Sequence, residues 1–344
     1  MSRPSASLSP VRGTAEEILH LLRGWDTAAD PAPLSVETSG STGEPKRVLL
    51  SRAAMRASAD ATHARLGGPG QWLLNLPPGY VAGLQVLFRS VRAGTEPVVS
   101  SGDLAADVER LTGPRRYLSL VPTQLHAILD DPAQAQALTR FDVVLLGGAS
   151  LDPHLRGAAE AVGIRIVTTY GMSETCGGCV YDGLPLDGVV VKIGADELIR
   201  IAGPMLFDGY DANPGLTEHV MEGGWFVTQD RGRIDRDGHL QVLGRVDDMV
   251  ISGGVNVPAA AVASRLRAHA DVRAAEVIGV PDDRWGHRVV AVVVGSLDLR
   301  DARDWVAKQH PRTWAPREIV HVDALPLLSN GKVDRLALQE LARA

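Results

Sequence analysis

Residues 38–46 read Thr-Ser-Gly-Ser-Thr-Gly-Glu-Pro-Lys. Glycine permits tight turns, and successive backbone N–H groups in such a turn can curl around an anion. Ser39, Ser41 and Thr42 add hydroxyls and Lys46 adds a compact cation, which is chemistry for gripping a polyphosphate. The pattern lacks the Gly-Lys-Ser/Thr ending of a Walker loop, and a flexible Gly/Ser loop is the plain alternative. A second lysine, Lys332, ends a Ser-Asn-Gly-Lys turn, where simple solvation is the plain alternative. The chain has only four lysines beside 31 arginines; an Arg-for-Lys coding bias is the plain cause, and it makes the position of each lysine informative. Cys176 and Cys179 have the spacing of a redox pair or half a zinc site. No second Cys pair and no nearby His pair completes a tetrahedral set, which favours small packing residues.

Composition narrows the setting. The 344 residues suggest about two domains, and 45% apolar with 22% charged residues is ordinary for a globular chain. The net charge of −6, with no basic block, gives no support for nucleic acid as a partner. No apolar run approaches the length of a membrane span, and the Ser/Pro-rich start lacks the apolar segment of a secretion signal. The expectation is a cytoplasmic protein that does not insert into membranes.

The elements that must position these residues form three textures. Strand-like runs at 34–37, 72–76, 96–99, 117–121, 143–146 and 164–168 alternate with helix-like stretches at 52–65, 104–111, 122–129 and 153–162, which is an α/β layer pattern. From 189 to 243 short β-like runs separated by Gly, Asp and Asn turns predict a small antiparallel region. Asp237-Gly238 is the turn of one hairpin. From about Asp247 a Gly-rich hairpin (249–257), a helix, two strands, a helix, a strand and a terminal helix predict an α+β module. The expected domains are 1–247 and 248–344.

The loop at 38–46 resembles the phosphate loop of the adenylate-forming superfamily, which includes acyl-CoA synthetases, peptide-synthetase adenylation domains and luciferases. Four further segments match in order: residues 168–175 (Thr-Thr-Tyr-Gly-Met-Ser-Glu-Thr), 225–230 (Trp-Phe-Val-Thr-Gln-Asp), 244–254 and 325–332. The resemblance runs from about residue 34 to the end. It implies a large N-terminal α/β domain joined by a hinge to a small mobile α+β domain. It also implies a reaction in which ATP, with Mg²⁺, activates a carboxylate and a thiol such as CoA takes the acyl group. A homodimer stays open.

By the resemblance, Thr38, Ser39, Gly40, Ser41, Thr42, Gly43 and Lys46 hold the β- and γ-phosphates, with Thr42 the key hydroxyl. Glu174 helps hold Mg²⁺ and Thr175 contacts the α-phosphate. Gly147, Gly148 and Ala149, with Ser150, face Thr169, Tyr170 and Gly171 to form an adenine slot. Asp230 accepts the ribose hydroxyls and Arg245 reaches ribose or phosphate. Lys332 is the adenylation lysine. Asp247 is the hinge, and Ser252, Gly253 and Gly254 line a pantetheine channel in the second domain orientation.

The segment 76–89 resembles the superfamily's acyl-pocket motif, with Tyr80 at the gate. Gly83, Gln85 and Arg89, together with residues 170–188, resemble the o-succinylbenzoate–CoA ligases of menaquinone biosynthesis, in their actinobacterial form. That substrate carries a second carboxylate, for which Arg89 is the candidate partner; a surface or ion-paired arginine is the alternative. Gly177 and its neighbour Gly178 leave room for an aromatic ring. Three departures stand out. The chain is short for the superfamily, which implies a trimmed N-terminal region; Arg47 and Gln229 stand where glycine is usual. Other acyl or aryl carboxylates, a carrier-protein acceptor and a non-catalytic nucleotide binder are the competing readings.

Overall fold

The computed structural model describes residues 8–38, 46–149, 151–328 and 333–343, with Asp247 described by its backbone. Its largest sheet has seven strands in the order Val98–Val99, Gln71–Leu74, Arg116–Leu120, Val143–Leu146, Ile166–Met172, Gly177–Tyr181, Leu184–Pro185. The first five run parallel and the last two return antiparallel. Parallel strands need both faces covered. Helices such as Arg52–Arg65, Val81–Ala93, Pro122–Leu129 and Pro153–Ala161 supply that cover. Val143–Leu146 is accordingly apolar and buried at every position.

The helix Val81–Ala93 begins inside the segment 76–89, read from sequence only as a pocket motif, and runs four residues past it. Eight consecutive residues, Gly83 to Ser90, are buried, and a helix buried all round offers no polar face from which to read a 3.6-residue period. Gly94, at φ +65°, closes it in the left-handed conformation that glycine tolerates.

Two smaller sheets flank the large one. Leu34–Glu37, Arg47–Leu50 and Gly209–Tyr210 form the first, and its hairpin connection is the 38–46 segment. The second is the expected antiparallel region, five strands centred on Trp225–Ile234. That strand is ten residues long, not a short run, and joins Leu240–Arg245 through the Asp237-Gly238 turn, where Gly238 has φ +84°. After a turn at Val246–Asp248, the strands Met249–Ser252, Val255–Pro258, Val272–Asp282, Gly286–Gly295 and Glu318–His321 make a separate sheet. Its helices are Ala259–Arg267, Leu299–Ala307 and Arg335–Leu341. No hydrophobic cluster among the described residues mixes positions before 240 with positions after 250.

Candidate active site

In open parallel sheets, ligands bind beyond the carboxyl ends of the strands. Here those ends carry Gly147–Ala149 and Thr169–Thr175. Close approach dictates the glycines. A Cβ on Gly147 would lie 2.4 Å from Thr169 Oγ1, and one on Gly171 would lie 2.0 Å from the Gly177 carbonyl oxygen. Gly148 adds a left-handed φ of +84°. Gly147, Gly148, Ala149, Thr169, Tyr170 and Gly171 therefore share one rim at the ends of two neighbouring parallel strands. Ser150 lies outside the described residues.

Asp230 sits at the middle of Trp225–Ile234, buried, with the exposed Gln229 before it. Tyr170 donates its hydroxyl to Asp230 Oδ2 at 2.7 Å. Burial, reinforced by the Asp230 charge, pushes the phenol well above its ordinary range, so it stays a donor. Arg245 stands directly opposite Asp230 in the strand register. The structure thus brings together three residues proposed for the nucleoside.

The phosphate side is built by the small three-stranded sheet. Thr38 and Lys46 close the mouth of the loop: the Thr38 N–H donates to the Lys46 carbonyl at 2.8 Å, and the Lys46 N–H donates to Thr38 Oγ1 at 3.3 Å. Ser39, Gly40, Ser41, Thr42 and Gly43 lie outside the described residues, as does Lys332. Arg47 sits 3.7 Å from Glu37 and 3.9 Å from Asp211, so the residue that replaces glycine pairs with the loop's own sheet. Lys46 Nζ lies 5.7 Å from the centre of the Tyr210 ring.

Glu174 occupies the tight turn Ser173–Thr175. Tyr210 donates to its Oε1 at 2.7 Å, and among the described residues Oε2 has no partner. No group of three or more His, Cys, Asp or Glu among them is placed to hold a metal. One carboxylate oxygen beside a polyphosphate loop fits Mg²⁺, which takes one or two protein carboxylates and fills its sphere with substrate phosphates and water.

Thr175 requires a correction. It is fully buried, its hydroxyl lies 2.7 Å from the Gly177 carbonyl oxygen, and it accepts the Met172 N–H at 2.9 Å. The hydroxyl fixes the turn that presents Glu174 and is not offered to a phosphate. Gly83 is likewise a packing position: a Cβ there would lie 2.2 Å from the Pro77 carbonyl oxygen, so its missing side chain faces Pro77 and not a substrate.

Beneath the rim, the helices Arg52–Arg65 and Val81–Ala93 pack on Gly177–Tyr181. Tyr80, half-buried, sits at the N-terminus of the second helix. Gly177 has φ +94°, and a Cβ there would lie 3.5 Å from Gln85 Cγ. Gln85 donates to the Cys176 carbonyl at 2.8 Å, and Ser58 does so at 3.0 Å. One helical turn beyond Gln85 lies Arg89, only 4% exposed. Its Nη2 reaches the Tyr181 hydroxyl at 3.5 Å, its guanidinium lies 5.1 Å from the Trp72 ring centre, and its buried Nε has no partner. Among the described residues no carboxylate pairs with it, which sets aside the surface and ion-paired alternatives. Burial pulls its pKa down.

Cys176 and Cys179 are free and buried, and burial pushes the Cys179 thiol up to about 12 and the Cys176 thiol further. Without a metal or a nearby cation the two thiols stay protonated at neutral pH, which does not favour a thiolate nucleophile. In the second domain Ser252 is buried, its hydroxyl 3.5 Å from Arg317 Nε. Only Gly253 and Gly254 are presented at the hairpin tip, so Ser252 does not line a channel through its side chain. Gly253 is held against Trp285, whose carbonyl accepts its N–H at 2.9 Å. The Asp247 backbone lies in the Val246–Asp248 turn, where the hinge was expected.

Sequence reasoning missed Tyr210, which touches Glu174, and Tyr181 and Trp72, which touch Arg89. Nothing in their local sequence distinguishes them from core residues; only the fold brings them to Glu174 and Arg89.

The AMP-binding enzyme family matches residues 30–208, and the AMP-binding enzyme C-terminal domain matches residues 261–332. A probable 2-succinylbenzoate–CoA ligase of Mycobacterium tuberculosis is 47% identical over 337 residues, covering 94% of this chain and 88% of that protein. The 2-succinylbenzoate–CoA ligase of Escherichia coli is 33% identical, covering 88% of this chain and 67% of that protein. Among solved structures, the o-succinylbenzoate–CoA synthetase of Bacillus subtilis bound to its acyl-adenylate superposes with a TM-score of 0.76 at 28% identity, covering 89% of this chain and 68% of that one. The two family models match in chain order, and the chain belongs to the AMP-binding enzyme family.

Proposed function

We infer that this chain is an AMP-forming acid–thiol ligase that activates o-succinylbenzoate with ATP and passes the acyl group to CoA, in menaquinone biosynthesis. The relatives support this activity. The observation that carries the substrate is Arg89, a buried guanidinium with no acidic partner among the described residues. A buried, unpaired cation is costly. A dicarboxylate whose ring carboxylate meets Arg89 while its succinyl carboxylate faces the phosphates would repay that cost.

A succinyl carboxylate oxygen attacks the α-phosphorus of ATP, the bond to the bridging oxygen breaks, and pyrophosphate leaves. The CoA sulfur then attacks the acyl carbon; AMP departs and the thiol proton is released. Both partners of the first step are anions, so positioning and charge neutralisation dominate. Tyr170, Asp230 and Arg245 would orient the nucleoside, the 38–46 loop with Lys46 the outer phosphates, and Lys332 the reacting oxygens. Glu174 Oε2 would hold Mg²⁺, which supplies charge neutralisation at the phosphates. In this reading 1–247 and 248–344 are the two domains, and the turn at Asp247 absorbs their rotation; the separation of the hydrophobic clusters supports that boundary. No helix among the described residues is long and apolar enough to cross a membrane, and the free thiols agree with a cytoplasmic enzyme.

A carboxylate panel tests the reading. With ATP and CoA, o-succinylbenzoate should give both pyrophosphate and a CoA thioester. Faster turnover of benzoate, salicylate or a fatty acid, or transfer only to a phosphopantetheinyl carrier, would refute it.

A further inference from the structure

Glu174 and Lys46 come from distant parts of the chain, yet one side chain touches both. Tyr210 lies in the two-residue strand Gly209–Tyr210, registered against Val48 next to the phosphate loop. Its hydroxyl donates to Glu174 Oε1 at 2.7 Å, and its ring centre lies 5.7 Å from Lys46 Nζ. The residue is fixed on every side. Its N–H donates to Thr217 Oγ1 at 2.9 Å, and Phe207 meets its ring edge-on at 5.0 Å. Phe207 in turn donates its N–H to the Glu174 carbonyl at 2.9 Å, and Asp208 donates to the Leu49 carbonyl at the same distance. The turn bearing Glu174 and the sheet bearing Lys46 are thus bolted together through residues 207–210. Burial, with the facing Glu174 charge second, raises the Tyr210 phenol, so it remains a donor at working pH.

We propose that Tyr210 is a positioning residue for adenylation: it holds Glu174 by one oxygen, leaving the other for the metal, and steers the Lys46 ammonium across its ring. A ligating carboxylate is generally oriented by its own hydrogen-bond donors, and a cation over an aromatic face is held without neutralising its charge. The inference rests on the reading of Glu174 as the metal carboxylate and Lys46 as a phosphate contact.

Three variants separate these roles: Tyr210→Phe, Tyr210→Leu and Glu174→Gln. The primary readout is Mn²⁺ binding, followed by electron paramagnetic resonance in the presence of a non-hydrolysable ATP analogue. Melting temperature reports the fold, and the Mg²⁺ dependence of pyrophosphate exchange reports the reaction. Tyr210→Phe should weaken Mn²⁺ binding roughly tenfold and leave metal-free binding of the analogue near that of the parent, because the ring still faces Lys46. Tyr210→Leu should weaken metal-free analogue binding as well, about threefold; if it fails to fold, Tyr210→Phe carries the test alone. Unchanged Mn²⁺ affinity in Tyr210→Phe, with a loss in Glu174→Gln, overturns the role of Tyr210 and spares the reading of Glu174. Unchanged affinity in both overturns the two together.

Discussion

Tyr170 and Asp230, sixty residues apart, share a 2.7 Å hydrogen bond across the nucleoside rim, with Arg245 facing Asp230 from the next strand. The bond joins the end of the parallel sheet to the centre of the antiparallel one. It also gives the aspartate, only 8% exposed, a hydroxyl donor that offsets part of the cost of its burial. Tyr170→Phe keeps the aromatic face and removes only this donor. The expected result is a KM for ATP raised several-fold, up to roughly tenfold, with kcat little changed. Equal KM values in steady-state kinetics would show that Asp230 is oriented without Tyr170.

Arg89 predicts opposite signs for activity and stability. Arg89→Met removes the proposed partner of the ring carboxylate, so kcat/KM for o-succinylbenzoate should fall roughly 100-fold. The same acid without its ring carboxylate, 4-oxo-4-phenylbutanoate, should react equally well with both proteins. Because the guanidinium is buried without an acidic partner among the described residues, an apolar side chain of similar length should hold or raise the melting temperature. Equal losses on both acids, with a lower melting temperature, would make Arg89 a structural residue.

The candidate site was legible in the sequence wherever backbone chemistry dictates residue type. Gly147 and Gly171 tolerate no Cβ, and a glycine-rich turn after an apolar strand announces itself. The α/β alternation was legible because helices such as Arg52–Arg65 show one polar face, whereas the helix Ala15–Thr27 went unread although it opens with a reciprocal Thr14–Glu17 capping box. What escaped were contacts made by topology. Tyr210 reaches Glu174 only because a two-residue strand joins the phosphate-loop hairpin. Thr175 looked like a phosphate ligand by position, but its hydroxyl is spent on its own turn. Arg89 could be named a carboxylate partner, whereas its isolation from acidic groups follows from helix burial that no local pattern encodes.

His63 gives the fold a pH dependence of defined sign. It is buried and its Nε2 has no partner. Burial first, and then the Arg89 charge, lower its pKa from 6.5 to about 4. The unfolded chain therefore binds a proton more readily than the folded one between those values. The stability linked to this group is fully present above pH 6.5 and is lost as pH falls toward 4, by an amount on the order of 2–3 kcal/mol. Urea melts of the parent and His63→Leu at pH 7.5 and pH 4.5 should differ in that interval, with the smaller drop in the variant. Parallel curves would mean that His63 titrates alike in both states.

Arg335 and Asp248 join the terminal helix to the turn at residues 246–248. The Asp334 N–H donates to the Pro326 carbonyl at 2.9 Å, and Leu327 pairs with Val333, so the two ends of the segment bearing Lys332 are clamped together. Arg335, at the start of the terminal helix, forms an ion pair with Asp248 in the turn after Leu240–Arg245. The Arg335 side chain is 42% exposed and that of Asp248 10%; solvent at the arginine screens the pair, so its contribution to stability is about 1 kcal/mol. We propose that its consequence is geometric: it ties residue 335, three positions after Lys332 in sequence, to residues 246–248. Arg335→Ala should therefore lower the melting temperature little, yet cut pyrophosphate exchange roughly tenfold, because misplacement of a charge-stabilising group is costly. Thioester formation from preformed acyl-adenylate, which does not use that lysine in the proposed mechanism, should fall much less, and Arg335→Lys should recover part of the exchange. Equal decline of both half-reactions, in step with lost stability, would reduce the pair to an ordinary surface contact.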